Sequence, residues 1–265
     1  MPAFTARAGR VLLERVIAVA ARRAAAPGGI RFTERQLYYE ARRVLRPAPA
    51  PGLSRFTEAL RGREPAGLLP AADPPGPVTS GQAREPDLYA YGLPRLLVCQ
   101  DRSIARMLLA NHVHLEAACP VLAAQDCLPL DPRLVAALER AGDATVHVLH
   151  DASPTGIALP ARVRETLPSV RVASLGLVPR HVAALRLVSG RGPRPAPPVT
   201  LPPGLRRAEA DWLAAGRYAE VAAVPPAQLL RAVLRLTRGP RPARPSARGE
   251  LRELRTAGFL TWPGA

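Results

Sequence analysis

The sequence predicts an α/β protein in which a helical N-terminal part precedes a parallel β-sheet and a short helical region follows it. Three observations support this fold class. Apolar residues recur at helical spacing in three segments before residue 64. Between residues 93 and 188, short apolar runs alternate with helical segments, which is typical of a parallel sheet with crossover helices. After residue 189, helical segments are separated by stretches rich in arginine and proline.

Composition and charge favour a globular protein with a polyanionic partner. The chain has 265 residues, 48% of them hydrophobic, which is enough for one large domain or two modest ones. Its formal net charge of +16 comes from arginine, since the chain contains no lysine. Arginine, alanine and proline are enriched together, which is the composition that a GC-rich genome produces. The net charge is therefore a weaker sign of function than its size suggests. It still favours a polyanion such as nucleic acid.

Cysteine usage and hydropathy indicate a cytoplasmic protein without a membrane segment. Cys99, Cys119 and Cys127 lack the spacing of a metal or redox motif and leave one cysteine unpaired, which suits a reducing compartment. No signal-type segment is found at the start of the chain. No apolar run approaches the roughly 18 residues that a membrane span needs.

The best-defined predicted helix begins at Thr33 and ends near Arg46. Thr33 and Gln36 have the spacing of a capping box, in which each side chain bonds to a backbone N–H near the other residue. Pro47 prevents the helix from continuing because proline lacks the backbone N–H. At about 100° per residue, one face of this helix is apolar. That face consists of Leu37, Ala41, Val44 and Leu45, with Tyr38 at its margin.

Tyr39 is predicted to lie on the opposite, outer face of this helix. Four arginines share that face: Arg35, Arg42, Arg43 and Arg46. Guanidinium groups around a phenol can hold a phosphate and stabilise the charge that develops on a transferring phosphoryl group. The alternative interpretation is an ordinary amphipathic helix with a solvated basic face and an incidental surface tyrosine.

Two further predicted helices, at residues 10–26 and 53–63, flank the tyrosine helix. Three short helices followed by a turn-rich stretch resemble a winged-helix or helix-turn-helix module, in which the second or third helix approaches DNA. Any small helical domain would show the same pattern. Residues 65–86 are rich in proline, glycine and alanine, which predicts a linker or an extended wing.

Four strands are predicted in the second part of the chain, with polar residues directly after two of them. The strands are 95–99, 121–124, 145–149 and 170–174, and the helices between them are 103–111, 132–141 and 157–167. Sites in parallel sheets form at the carboxyl ends of the strands. Gln100 and Asp101 follow the first strand, and Asp151 and Ser153 follow the third. Asp101 could equally cap the next helix.

The last part of the chain contains three predicted helices and an apolar tail. The helices are 206–216, 227–236 and 250–258, and the tail consists of Phe259, Leu260 and Trp262.

The order of these motifs resembles the A subunit of type IIB DNA topoisomerase VI, whose family includes the meiotic double-strand-break transesterase. The resemblance covers residues 31–236 and depends on the following motifs: Arg-x-Leu-Tyr-Tyr at 35–39, Gln100, Asp-x-Ser-Pro-x-Gly at 151–156, and the segments 175–179 and 219–224. It implies four regions: a winged-helix-like domain at 1–64, a linker at 65–92, a Toprim-like domain at 93–188 and a C-terminal helical extension at 189–265.

The resemblance implies that the protein cleaves double-stranded DNA by transesterification. Tyr39 would attack a backbone phosphate to give a 5′-phosphotyrosyl link, and Arg35 would assist it. Arg42, Arg43 and Arg46 would contact the DNA. The family is dimeric, with tyrosine and metal site from different protomers. Type IIB topoisomerases are isomerases. They also need a separate B-type subunit, which is an ATPase. We therefore expect a nucleoid-associated homodimer.

The resemblance also implies a Mg²⁺ site, formed here by Asp151, Asp101, Gln100 and Ser153. Two positions depart from the family pattern, because Gln100 replaces a glutamate and Ser153 replaces an aspartate. The sequence therefore predicts a weakened Mg²⁺ site. A substitute site would use nearby histidines, namely His112, His114, His147 and His150. Two other functions stay open: a catalytically inactive DNA-binding or assembly protein, and a Toprim-type nuclease of a bacterial defence system.

Overall fold

The computed structural model of the protein describes residues 2–70, 92–193 and 204–238. The predicted helix at 250–258, the apolar tail at 259–262 and most of the predicted linker lie outside these ranges. Three helices precede the sheet: α1 (Pro2–Ala24), α2 (Glu34–Leu45) and α3 (Leu53–Leu60). All three were predicted, although α1 begins eight residues earlier than the apolar periodicity indicated.

Helix α2 has the predicted ends. The Thr33 hydroxyl accepts a hydrogen bond from the Gln36 N–H, and the Gln36 side chain accepts one from the Thr33 N–H, so the capping box is confirmed. Arg46 is the C-terminal cap residue. The apolar face of α2 packs against α1 and α3, with Leu37 and Phe56 fully buried.

A four-stranded, fully parallel sheet forms the centre of the molecule, as predicted. Its strands are β1 (Arg95–Cys99), β2 (Val121–Ala123), β3 (Thr145–Leu149) and β4 (Arg171–Ser174), arranged in the order β2-β1-β3-β4. The helices around them are α4 (Arg102–Ala110), α5 (Val113–Glu116), α6 (Ala124–Cys127), α7 (Pro132–Arg140) and α8 (Pro154–Thr166). The two four-residue helices α5 and α6 are too short to have produced a periodic signal in the sequence.

Helices cover both faces of the sheet, so β1 is apolar on both faces. The side chains of β3 are buried apart from the half-buried Thr145, with His147 as a buried polar residue. Leu96 and Val98 point into a core with α7 and α8, whereas Leu97 and Cys99 point into the larger core that includes the N-terminal helices. This alternation follows from the two-residue period of a strand. The carboxyl ends of the strands are therefore held between well-packed layers.

The C-terminal part returns the chain to these strand ends. It contains α9 (Pro179–Ala184), β5 (Gly190–Arg191), α10 (Arg207–Ala214), β6 (Arg217–Tyr218), a 3-10 helix (Val221–Ala223) and α11 (Pro226–Arg238). Strands β5 and β6 form an antiparallel pair. None of the helices in the described ranges has the length and apolar character needed to cross a lipid bilayer. The structure is thus α/β as predicted, and the winged-helix and Toprim assignments stay predictions.

Candidate functional site

Tyr39 is buried, so the prediction that it lies on an exposed outer face is wrong. Only 5% of the residue is exposed. It does point away from the apolar face of α2, but residues 217–224, which we call the strap, cover it there. The 3-10 helix of the strap packs directly against α2. Sequence periodicity identifies the face of a helix and cannot reveal a distant segment that covers that face.

Glu220 of the strap lies beside both residues that were predicted to carry catalysis. The Arg35 guanidinium donates from Nε to Glu220 Oε2 at 2.5 Å, and its Nη2 donates to Oε1. The Tyr39 phenol lies near the same carboxylate, whose negative charge acts on it. Glu220 thus occupies the position beside a guanidinium and a phenol where a phosphate would be expected to bind.

The electrostatics of this pocket keep the Tyr39 phenol protonated. Burial raises its pKa, and the negative charge of Glu220 raises it further, whereas Arg35 acts in the opposite direction. The hydrogen bond to Glu220 also raises the pKa of the Arg35 guanidinium. A neutral phenol therefore lies beside an ion pair of a carboxylate and a guanidinium.

The strap also binds the carboxyl end of β3, where Asp151 lies. The Val221 N–H donates to Asp151 Oδ1 at 2.7 Å, and Ala152 and Ala219 exchange two backbone hydrogen bonds of 2.9 and 3.0 Å. Burial raises the pKa of Asp151 to about 7, although the Val221 N–H opposes this shift. The strap thereby brings the tyrosine helix and the acidic strand end together within one chain.

The other three predicted metal ligands have structural partners. Gln100 Oε1 accepts the Asp151 N–H at 2.9 Å, which ties the ends of β1 and β3 together. Asp101 caps α4 by accepting the Ser103 N–H at 2.6 Å, so the capping alternative is confirmed. Ser153 caps α8 through the Gly156 N–H at 3.0 Å.

These partners leave no arrangement that fits Mg²⁺. The oxygen atoms of Gln100 and Ser153 face backbone donors, and a Cβ at Gly156 would lie 2.6 Å from Gln100 Oε1, which shows how tightly this oxygen is enclosed. Within the described ranges, no group of three or more histidine, cysteine or acidic residues could hold a metal ion. The histidines predicted as a substitute site do not form such a group either. We therefore derive no chemical step through a metal.

The arginines predicted to bind DNA divide into three cases. Arg43 donates to Glu40 at 2.5 Å and to the Ala223 carbonyl of the strap, so its guanidinium is used inside the protein. Arg42 lies over the Tyr38 ring, with its Cζ 5.6 Å from the ring centroid. Arg46 is exposed at the end of α2. The internal bonds of Arg43 correct the prediction of a continuous basic DNA-binding face.

Sequence reasoning missed Glu220, the residue that organises the site. It stands in the segment 219–224, which was noted for its resemblance only. The sequence carries one signal for this role, namely an acidic residue flanked by small apolar residues. A charged side chain in such an apolar segment is usually paired with another group of the protein.

Comparison with known proteins does not assign the chain to a family. No protein-family model matches it, and no curated protein sequence does. The likeness to the topoisomerase VI family therefore stays a prediction from the sequence motifs around Arg35, Tyr39 and Asp151.

Proposed function

We propose that the protein is a topoisomerase VI A-like DNA-binding protein that holds double-stranded DNA without cleaving it while the strap is closed. The observation that carries this proposal is the burial of Tyr39 beneath the strap, beside the Arg35–Glu220 ion pair. A tyrosine that attacks phosphorus must bring its oxygen to the phosphate and lose its proton. Here the residue is covered, and burial and the charge of Glu220 keep the phenol protonated.

Opening the strap would break several contacts together. These are the Arg35 ion pair, the Val221 bond to Asp151, the paired bonds of Ala152 and Ala219, and the bond of Arg43 to Ala223. Buried charged and backbone groups are costly to leave without partners. The closed strap therefore favours the catalytically inactive form among the functions that the sequence left open.

Charge supports DNA as the partner. Residues 11–70 contain eleven arginines and five glutamates, with no aspartate or lysine. The arginines that are exposed in this region are Arg15, Arg22, Arg23, Arg31, Arg46, Arg55, Arg61 and Arg63. A helical region with this excess of exposed guanidinium groups can neutralise backbone phosphates without reading sequence.

A cleaving transesterase is the second candidate, because Arg35 and Tyr39 lie beside each other, as the resemblance implies. In that function a partner or the DNA itself would displace the strap, and Arg35 and Tyr39 would then face a phosphate. The nuclease alternative has less support, since hydrolysis of DNA by a Toprim site needs several acidic ligands and Gln100 and Ser153 supply none.

One assay separates these functions. The purified protein is mixed with supercoiled plasmid and Mg²⁺ or Mn²⁺, part of each sample is analysed on a native gel, and the rest is treated with detergent and protease. We expect retarded plasmid without breaks. Protein-linked breaks that disappear in Tyr39→Phe would show the transesterase, and free breaks would show a nuclease. An unretarded plasmid would rule out DNA as the partner.

A further inference from the structure

A serine and a histidine form a close pair at the carboxyl ends of β4 and β3. Ser174 Oγ lies 2.8 Å from His150 Nε2. Ser174 is exposed, whereas only 2% of His150 is exposed. Neither side chain contributes to the contacts of Tyr39 and Glu220 described above.

The second nitrogen of the imidazole fixes the direction of this hydrogen bond. His150 Nδ1 lies 2.9 Å from the Asp151 carbonyl oxygen, which can only accept, so Nδ1 must carry the proton. Burial lowers the pKa of His150 and favours the neutral ring, although the bond to the Asp151 carbonyl acts the other way. In the neutral ring Nε2 has a lone pair. The Ser174 hydroxyl must therefore donate to it.

The ring is held in place by Gly176. A Cβ at this position would lie 2.3 Å from the imidazole, so only glycine allows the backbone to approach so closely. The Leu177 N–H also donates to the His150 carbonyl at 2.8 Å.

Ser174 lines a cavity of about 500 Å³ between the end of β4, α9 and α11. Most of the cavity wall is apolar, with leucines from all three segments: Leu175, Leu177, Leu185, Leu229 and Leu236. A hydrogen bond that merely joins two strand ends needs no accessible hydroxyl and no adjacent cavity. An accessible serine hydroxyl, a buried imidazole that a backbone carbonyl orients and an adjacent cavity occur together here. This combination is typical of a nucleophile with a base that a third group orients.

We propose that Ser174 is a nucleophile activated by His150, and that the cavity binds the apolar acyl group of a carboxylic ester. Ser174 Oγ bonds to the ester carbonyl carbon while its proton passes to His150 Nε2. The ester C–O bond then breaks, and the proton goes from Nε2 to the departing alkoxide. Water transfers a proton to Nε2 as its oxygen attacks the acyl carbon, and Ser174 recovers that proton as the carboxylic acid leaves.

A fluorophosphonate probe with an alkyl chain tests this proposal on the full chain. Attack by Ser174 forms an Oγ–P bond and releases fluoride, and peptide mass spectrometry then locates the adduct. We expect modification at Ser174 in the folded protein and at neither Ser54 nor Ser189, two exposed serines that serve as internal controls. Denaturing the protein first should abolish labelling, because free serine is unreactive.

Hydrolysis of p-nitrophenyl butyrate gives the second measurement. Ser174→Ala leaves the buried His150 Nε2 without its donor, so we expect a small decrease in melting temperature, an unchanged DNA affinity and activity reduced to the buffer rate. His150→Gln should lose labelling as well. If His150→Gln unfolds because His150 is buried, the position of the adduct in the peptides of the unaltered protein decides whether Ser174 is the nucleophile. Equal labelling of the three serines, no labelling, or full hydrolysis by Ser174→Ala would overturn the proposal.

Discussion

Burial and Glu220 together keep the Tyr39 phenol protonated. A buried phenol is already difficult to ionise, and the negative charge of the neighbouring Glu220 makes the phenolate less favourable still. The positive charge of Arg35 favours the phenolate, but Glu220 neutralises that charge. The buried site therefore holds the tyrosine in its unreactive form.

Replacing Glu220 with glutamine should lower the pKa of Tyr39. The substitution removes the negative charge, keeps the size of the side chain, and leaves the positive charge of Arg35 unopposed. Titration of phenolate absorbance measures the effect, with the corresponding Tyr39→Phe proteins subtracted to isolate this tyrosine from the other four. Glu58→Gln, at an exposed glutamate of α3, serves as the control. An unchanged Tyr39 titration in Glu220→Gln would contradict the role of this carboxylate.

Asp151 should make the stability of the protein depend on pH. Its pKa is about 7 in the folded protein against an ordinary value of 3.8, so the folded state binds the proton more tightly. The stabilisation is complete below about pH 4 and is lost as the pH rises through 7. Asp151→Asn removes this titration and keeps an oxygen for the Val221 N–H.

The measurement for Asp151 is the free energy of unfolding in denaturant between pH 5 and pH 8. We expect the unaltered protein to lose on the order of 2 kcal/mol more than Asp151→Asn over this range. Asp143→Asn, at an exposed position, should follow the unaltered protein. Parallel curves for Asp151→Asn and the unaltered protein would show that the carboxyl titrates at its ordinary pH.

At the scale of elements, the start of α2 depends on Thr33. Its hydroxyl satisfies the Gln36 N–H in a region where only 6% of Thr33 is exposed, so water cannot easily replace it. Thr33→Ala should lower the free energy of unfolding by about 1 kcal/mol. Chemical denaturation measures the change, and Ser54→Ala on the exposed side of α3 is the control. A loss no greater than that of Ser54→Ala would show that the capping box is not needed.

The elements that the sequence predicted are those whose signals are local. The Thr33 and Gln36 box and Pro47 define α2 within one short segment, and the continuous apolar run of β1 indicates burial on both faces. The environment of Tyr39 depends instead on the Arg35 to Glu220 pair, whose members are 185 positions apart. The strap also has only a three-residue 3-10 helix and a two-residue strand, which carry no periodic signal.

The same difference between local signals and contacts made in three dimensions explains why the predicted metal ligands are not available to a metal. Gln100, Asp101, Asp151 and Ser153 do gather at the carboxyl ends of β1 and β3, where parallel topology predicts a site. Each of them then bonds to a backbone N–H of a neighbouring turn or of the strap. The sequence predicts where polar residues lie, and the three-dimensional structure decides whether their oxygen atoms are available.

At the scale of the whole molecule, the positive charge that remains exposed is the property through which the protein would bind DNA. Glu220 of the strap neutralises Arg35, and Glu40 of α2 neutralises Arg43, so DNA affinity must come from arginines that remain exposed, such as Arg46 at the end of α2. Binding through phosphate contacts releases counterions and weakens steeply with salt. If six phosphates are neutralised, affinity should fall about 10³-fold between 50 and 200 mM salt.

Fluorescence anisotropy with a labelled duplex, repeated across this salt range, measures that dependence. Arg46→Gln should weaken binding to unrelated sequences equally and reduce the salt slope by about one, because one phosphate contact is lost. Arg162→Gln, at an exposed arginine of α8, is the matched control and should leave the slope unchanged. A flat salt response would exclude a phosphate-binding surface. An equal effect of both substitutions would mean that net charge alone drives binding, with no contribution from the position of the tyrosine helix.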